Sequence, residues 1–98
     1  MAQHYPNELK VARRRRGLSQ KQVAAILGVD PSSISHLERG FSLPRLPTAL
    51  SLEALYRVPV AFLYPQLSHS IRADVNRGRR PGAALDGVEG PEGWRTAA

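Results

Sequence analysis

A turn between two short helical segments is the feature that most constrains this chain, in the stretch GLSQKQVAAILGVDPSSISHLERG at residues 17–40. Ser19, with Gln22 three residues later, is a capping box that begins a helix. Gly28 follows the last apolar residue of that helix and can adopt the left-handed conformation that commonly ends one. The spacing therefore predicts a helix that begins after Ser19 and ends at Gly28.

A second helix is predicted directly after this turn. Asp30 is a good N-cap residue, and Pro31 suits the first helical position, where an N–H group has no partner in the helix. Ala24 is small enough for two steeply crossing helices to approach each other. The apolar stripe of the helix before the turn consists of Val23, Ile26 and Leu27. The predicted core shared by the two helices consists of Val23, Leu27, Val29, Ile34 and Leu37. This combination predicts a helix-turn-helix, whose second helix can enter a DNA major groove.

In the rest of the chain, the apolar periodicity and the positions of capping residues, glycines and prolines predict four more helices and no strand. Asn7 is a suitable N-cap for helix 1, which Gly17 ends. Helix 4 carries too many apolar residues for a solvated helix: Leu46, Ala49, Leu50, Leu52 and Leu55. The predicted ranges are 7–16 for helix 1, 46–56 for helix 4, 59–63 for helix 5 and 65–76 for helix 6. The chain is therefore predicted to be all-α.

Length and composition narrow the class of protein. The chain has 98 residues, no cysteine and a net charge of +6. These values favour one small domain and a polyanionic partner, and they exclude disulfides and thiolate metal sites. No apolar run has the length of a membrane helix, and the first residues do not resemble a signal peptide, so a cytoplasmic protein without a membrane partner is expected. The predicted division is 1–64, a DNA-binding domain; 65–77, an amphipathic helix; and 78–98, a disordered Gly/Pro-rich tail.

At this point the sequence resembles the Cro/lambda-repressor-like, or Xre-type, helix-turn-helix DNA-binding proteins. The matching motifs are L-S-Q at 18–20, A-x-x-x-G at 24–28, I-S-x-L-E-R-G at 34–40, P-x-L at 44–46 and V-P-V-x-x-L at 58–63. The correspondence runs from about residue 9 to residue 64. It implies a five-helix lambda-repressor-like domain, to which helix 6 and the tail are additions, and a bacterial, phage or mobile-element origin.

The resemblance also implies roles for individual residues. The second helix of the motif, residues 31–39, would be the recognition helix. Base contacts are expected from Pro31, Ser32, Ser35 and His36, and phosphate contacts from Gln20, Ser33 and Arg39. Arg13 and Glu38 match a pair that forms a partly buried salt bridge in the family. Arg16, at the end of the first helix, is a further phosphate candidate.

The predicted reading face departs from the family pattern. Members often present Gln, Arg or Asn, which make bidentate contacts to bases, whereas this chain presents mostly serines and one histidine. Modest, water-mediated or shape-based specificity is therefore expected.

Several apolar residues have two interpretations. Phe41, Leu43 and Phe62 either cover the core or form dimer contacts. Leu67, Ile71 and Val75 recur at helical spacing, and this stripe either folds back on the domain or pairs with a second copy. The four consecutive arginines at 13–16 point around the whole helix, which favours a solvated helix end over a DNA-facing stripe.

The expected function is sequence-specific regulation of transcription by a homodimer, most simply repression at a promoter. The alternative is a protein-interaction module on the same fold, such as an antitoxin or anti-activator that uses residues 65–98. Catalysis is not expected, because no serine has a spaced His/Asp partner and no carboxylates are paired. Neither a cofactor nor a metal site is predicted.

Overall fold

The computed structural model describes residues 4–81, which form six α-helices and no β-strand within that range. The helices are α1 (Leu9–Arg15), α2 (Gln20–Leu27), α3 (Pro31–Glu38), α4 (Leu46–Tyr56), α5 (Val60–Leu63) and α6 (Pro65–Asn76). The predicted all-α class is confirmed. The tail predicted at 78–98 lies outside the described residues from 82 onward.

The start of α1 differs from the prediction. The helix begins at Leu9, with Glu8 at the N-cap, and ends at Arg15, so it is shorter than the predicted 7–16. Asn7 nevertheless contributes to the helix start, because its Oδ1 accepts a hydrogen bond from the Leu9 N–H at 3.0 Å. The prediction of Asn7 as the N-cap is therefore wrong by one residue, because the chain reaches helical geometry only after Glu8.

The capping signals of α2 and α3 are confirmed. The Ser19 hydroxyl accepts from the Gln22 N–H, and the Gln22 side chain accepts from the Ser19 N–H, which completes the capping box. Gly28 ends α2 in the left-handed conformation, with φ of 71°. Asp30 is the N-cap of α3 and Pro31 its first residue. The turn between the two helices therefore follows from four local backbone preferences.

The core lies between α1, α3 and the helices packed on them. Its buried apolar residues are Tyr5, Leu9, Ala12, Val23, Ala24, Ile34, Leu37, Ala49, Leu52, Tyr56, Leu63 and Tyr64. Two predicted core residues are exposed, Ile26 and Val29, and Leu27 is only half-buried. Because Ala24 takes the close contact next to Val23, the buried face of α2 is rotated away from Ile26.

The helix α4 buries fewer leucines than its composition suggested. Leu46 and Leu50 are 70% and 51% exposed, whereas Ala49, Leu52 and Tyr56 are buried. A helix with apolar residues around its whole circumference cannot bury all of them against one core. The expectation that these leucines were too numerous for a solvated helix is therefore wrong for Leu46 and Leu50.

Two polar contacts tie α5 to the rest of the domain. The Glu53 carboxylate on α4 accepts from the Val60 N–H at 2.9 Å, at the start of α5. The Leu63 carbonyl at the end of α5 accepts from the Glu8 N–H at 2.8 Å. The short helix α5 is thus held at both ends, which compensates for its lack of a side-chain cap of its own.

The chain divides into two compact units, one ending at Ser68 and the other beginning at His69, inside α6. In the second unit, α6 is followed by Gly78 in the left-handed conformation, and Arg79 forms an ion pair of 3.5 Å with Asp74. Among residues 4–81, no helix combines the length and the apolar character needed to cross a membrane.

Candidate DNA-binding site

The helix α3 has one buried face and one exposed face. Ile34 and Leu37 are buried in the core, and they fix the rotation of the helix about its axis. The opposite face carries Ser32, Ser33, His36 and Arg39 in exposed positions and Ser35 in a half-buried one. The predicted separation of inward and outward residues on this helix is confirmed for these positions except Ser35, which is only partly exposed.

The beginning of α3 is exposed to solvent. Asp30, Pro31 and Ser32 are all solvent-accessible. The Asp30 side chain accepts a hydrogen bond from the Ser32 N–H at 3.4 Å. At this length the bond is a weak partner for the free N–H groups of the first helical turn. Pro31 offers an apolar ring and no donor.

An ion pair beneath α3 joins it to α1. The Arg13 Nε lies 2.6 Å from Glu38 Oε2, and the two side chains are only 9% and 4% exposed. A second bond of 3.3 Å joins the guanidinium to Glu38 Oε1, and a third, of 2.8 Å, reaches the Leu18 carbonyl. The predicted salt bridge is therefore present, with fork-like geometry. The hydrogen bond to Glu38 raises the pKa of Arg13, although burial opposes this shift.

Gln20 belongs to the same network. Its Nε2 donates to Glu38 Oε1 at 3.0 Å, and the side chain is half-buried. An amide nitrogen has two hydrogens, so one remains directed elsewhere while the other binds Glu38. The residue predicted to contact phosphate is therefore held at the N-terminus of α2 by the carboxylate at the end of α3.

Arg16 is anchored away from the other phosphate candidates. Its Nε donates to the Leu55 carbonyl on α4 at 3.2 Å. Arg14 and Arg15 are exposed, and Arg13 is buried, so the arginine run points in several directions, as predicted. These four residues do not form one basic stripe.

The end of α3 places an aromatic residue against its exposed face. The Phe41 N–H donates to the His36 carbonyl and the Gly40 N–H donates to the Leu37 carbonyl, both at 3.0 Å. These two bonds form a Schellman motif, in which the glycine is left-handed and the residue after it packs on the helix. The Phe41 ring lies 5.8 Å from the His36 ring, centroid to centroid, and 5.9 Å from the Arg39 guanidinium carbon.

Asn7 is a positioning residue that the sequence reasoning identified only as a helix cap. Its Nδ2 donates to the Leu37 carbonyl and to the Tyr5 carbonyl, both at 2.9 Å. The Tyr5 N–H in turn donates to the Gly40 carbonyl at 2.9 Å. The segment before α1 is thus fastened to the end of α3. Nothing in the sequence pattern indicates this contact, because Asn7 and Leu37 are 30 residues apart.

Two buried tyrosines lie in the core of the domain. Burial raises the pKa of Tyr56 and that of Tyr64 to about 12, and for Tyr56 the Glu38 charge adds to the increase while Arg13 opposes it. Within residues 4–81, neither hydroxyl has a hydrogen-bond partner. Burial also raises the pKa of Tyr5.

The predicted dimer candidates differ in exposure. Phe41, Phe62 and Val75 are exposed, whereas Leu43, Leu67 and Ile71 are half-buried. For Phe41 and Phe62, exposure argues against the alternative that they cover the core. Leu46 and Leu50 on α4 are exposed apolar residues that the sequence reasoning had placed inside.

No group of His, Asp or Glu in the described part of the chain could hold a metal ion.

The comparisons with known proteins agree with this geometry. No curated protein sequence matches the chain. A family model described as helix-turn-helix (HTH_3) matches residues 9–63, more than half of the chain and the whole of α1 to α5. The chain therefore belongs to the Cro/C1-type, Xre-like helix-turn-helix family of DNA-binding regulators.

Proposed function

We propose that the protein is a sequence-specific transcriptional regulator that binds duplex DNA as a homodimer, with α3 in the major groove. The observation that carries the proposal is the two-faced α3, which is locked underneath by Ile34, Leu37 and the Arg13–Glu38 pair and carries small polar side chains outside. A helix with a fixed rotation and a solvent-exposed outer face is what groove insertion requires.

Base contacts are assigned to Pro31, Ser32, Ser35 and His36. Serine hydroxyls can donate or accept, so they discriminate bases weakly, whereas an imidazole N–H can donate to purine N7. Pro31 can contact only an apolar group such as a thymine methyl. We therefore propose modest base specificity that is centred on His36 and supplemented by water and DNA shape.

Phosphate contacts are assigned to Gln20, Ser33 and Arg39. The contact between Gln20 and Glu38 supports this assignment, because it holds the amide at the start of α2, where helix N–H groups favour anions. Arg16 is the weakest candidate, since its Nε is engaged by the Leu55 carbonyl.

A homodimer is proposed because one five-helix domain reads few base pairs. Two copies would place their α3 helices about 34 Å apart, one turn of DNA. Leu50 on α4 and Phe62 on α5 are exposed apolar residues on helices that pack together, and we assign the dimer contact to this surface. Sedimentation of Leu50→Ser and Phe62→Ser variants should show monomers at concentrations where the unsubstituted chain is dimeric.

Repression by occupying a promoter is the simplest regulatory action for such a dimer. Cytoplasmic location is part of the same proposal, since the DNA target is there in a bacterium. We also place the domain boundary after residue 64, with α6 as an extension of the DNA-binding domain.

Selection of bound sequences from a random duplex library tests the proposal. We expect enrichment of a two-fold symmetric site whose half-sites are about 10 base pairs apart, centre to centre. A Ser32→Ala/His36→Ala variant should lose the enriched sequence while it still binds unrelated DNA. Failure to enrich any sequence, together with specific capture of a protein partner, would support the interaction-module alternative and overturn the proposal.

A further inference from the structure

Phe41 is an exposed aromatic residue whose position is fixed by backbone geometry rather than by burial. It is 53% exposed, although a phenyl ring of this size is normally covered when a core is available. The Schellman bonds at the end of α3 place its backbone next to the carbonyl of His36. The side chain is therefore held over the last turn of the recognition helix.

The two residues that Phe41 contacts are both on the exposed face of α3. The ring planes of Phe41 and His36 are inclined by 60° at a centroid distance of 5.8 Å, a tilted arrangement that aromatic pairs prefer. The Arg39 guanidinium lies 5.9 Å from the Phe41 centroid, within the range of cation–π attraction. One ring thus restrains one base-reading candidate and one phosphate-binding candidate.

Such restraint matters because both partners are exposed. An exposed histidine or arginine changes rotamer freely, and the freedom must be lost when it binds a base or a phosphate. A fixed ring beside them removes part of that freedom before binding. In addition, Phe41 excludes water from one side of the imidazole, which strengthens a hydrogen bond made from its other side.

We propose that Phe41 is a positioning residue for DNA recognition: it holds His36 for base contact and Arg39 for phosphate contact. The inference rests on the proposed function and adds to it a residue that otherwise would be assigned to the dimer interface. The substrate feature it serves is a hydrogen-bond acceptor on a purine edge in the major groove, the group that an imidazole N–H can reach.

The test compares Phe41→Leu, Phe41→Tyr and the control Val11→Ala, with His36→Ala as reference. Competition binding compares the affinity for the selected duplex with the affinity for duplexes changed at one base pair. The base pair at which His36→Ala loses this affinity difference is the one that His36 recognises. At that pair, Phe41→Leu should reduce discrimination about two- to fivefold, the size expected for loss of one aromatic contact and one cation–π contact. Phe41→Tyr keeps the ring and should discriminate like the unsubstituted chain, as should Val11→Ala, which truncates an exposed apolar residue of α1 outside the proposed DNA and dimer surfaces.

A second readout does not depend on DNA. In NMR spectra of the free protein, the ring current of Phe41 should change the chemical shifts of the His36 ring protons. Phe41→Leu should abolish this change in chemical shift, whereas Phe41→Tyr should keep it. Sedimentation of the same variants reports the dimer. Phe41→Leu should leave the dimer intact.

The outcomes separate the two proposals. Loss of discrimination in His36→Ala but not in Phe41→Leu would overturn the role of Phe41 and leave the proposed function standing. A Phe41→Leu variant that becomes monomeric with unchanged base discrimination would return Phe41 to the dimer interface and also overturn the inference. If neither the unsubstituted chain nor any variant discriminates between duplexes, the proposed function itself fails.

Discussion

The segment from α1 to α3 and the segment formed by α4 and α5 differ in how their helices end and in which contacts hold the helices together. In the first, each helix ends at a left-handed glycine, Gly17, Gly28 or Gly40, and an ion pair with little exposure joins α1 to α3. In the second, α4 ends at Arg57, a non-glycine residue with φ of 59°, and Leu46, Leu50 and Phe62 stay exposed. The first segment is specified by polar and conformational constraints, the second mainly by apolar content.

This difference teaches where specification is needed. A reading face must present the same side chains in every molecule, so the rotation of α3 has to be unique. Charged partners with one acceptable geometry define such a rotation, whereas interchangeable leucines do not. The exposed apolar residues of α4 and α5 include the surface to which the proposed dimer contact is assigned.

The largest effect is expected for the ion pair. Arg13→Ala leaves the Glu38 carboxylate buried without its partner and should cost about 3 kcal/mol in the free energy of unfolding, measured by urea denaturation. Arg14→Ala, a change of the exposed neighbour, should cost less than about 0.5 kcal/mol. If the two variants unfold at the same urea concentration, the ion pair does not specify the α1–α3 segment.

The next effect distinguishes two glycines within the first segment. A Cβ at Gly40 would lie 2.8 Å from the Tyr5 carbonyl oxygen and 2.9 Å from the Tyr5 nitrogen, and φ is 80°, whereas a Cβ at Gly28 meets nothing within 4 Å. Gly40→Ala should therefore cost about 2 to 4 kcal/mol and Gly28→Ala about 1 kcal/mol. Equal losses in thermal denaturation would mean that the contact between Tyr5 and Gly40 is not rigid.

Alkaline pH should act on the second segment and its neighbours through the tyrosines. The pKa values of Tyr56 and Tyr64 are raised to about 12 in the folded chain, above the ordinary value of 10. The neutral phenol is thus favoured by folding, so this stabilisation is complete below pH 10 and is lost as pH rises from 10 to 12.

A Tyr56→Phe/Tyr64→Phe variant removes both titrating groups. Its stability should decline less between pH 10 and 12 than that of the unsubstituted chain. At pH 7 it should differ little, because within residues 4–81 neither hydroxyl has a hydrogen-bond partner to lose. Urea midpoints measured at pH 7, 10 and 12 test both statements. Identical pH profiles would contradict the burial of these phenols.

The smallest effect concerns the end of α4. Arg57→Gly relieves the left-handed strain of an L-residue but adds unfolded-state entropy, so a net gain of about 0.5 kcal/mol is expected. Arg57→Ala removes the same side chain without relieving the strain and serves as the matched control. A gain of the same size in both variants would assign the effect to the arginine charge instead of the backbone.

Most of the site could be predicted from the sequence where local chemistry determines the structure. Ser19, Gln22, Asp30 and Pro31 act on residues within a few positions, and each element boundary they predicted is confirmed. The exposed face of α3 follows from Ile34 and Leu37 by helical spacing alone.

What the sequence could not predict depends on contacts between distant segments. The second role of Asn7 requires the α3 end to lie beside the α1 start. The exposure of Ile26, Leu46 and Leu50 depends on which of several apolar faces finds a partner, and periodicity cannot rank such faces. The contact of Phe41 with His36 depends on the Schellman geometry after Gly40, which a glycine permits but does not require.

The salt dependence of DNA affinity tests the central claim most directly. Fluorescence anisotropy of the selected duplex between 50 and 200 mM salt gives the slope of log K against log salt, which is about −0.9 for each phosphate neutralised. Arg39 from each protomer of a dimer, with Arg16 as a weaker second contact, predicts a slope of about −2 to −4. A slope near zero, with equal affinity for unrelated duplexes, would contradict the assignment of α3 as a DNA-reading helix.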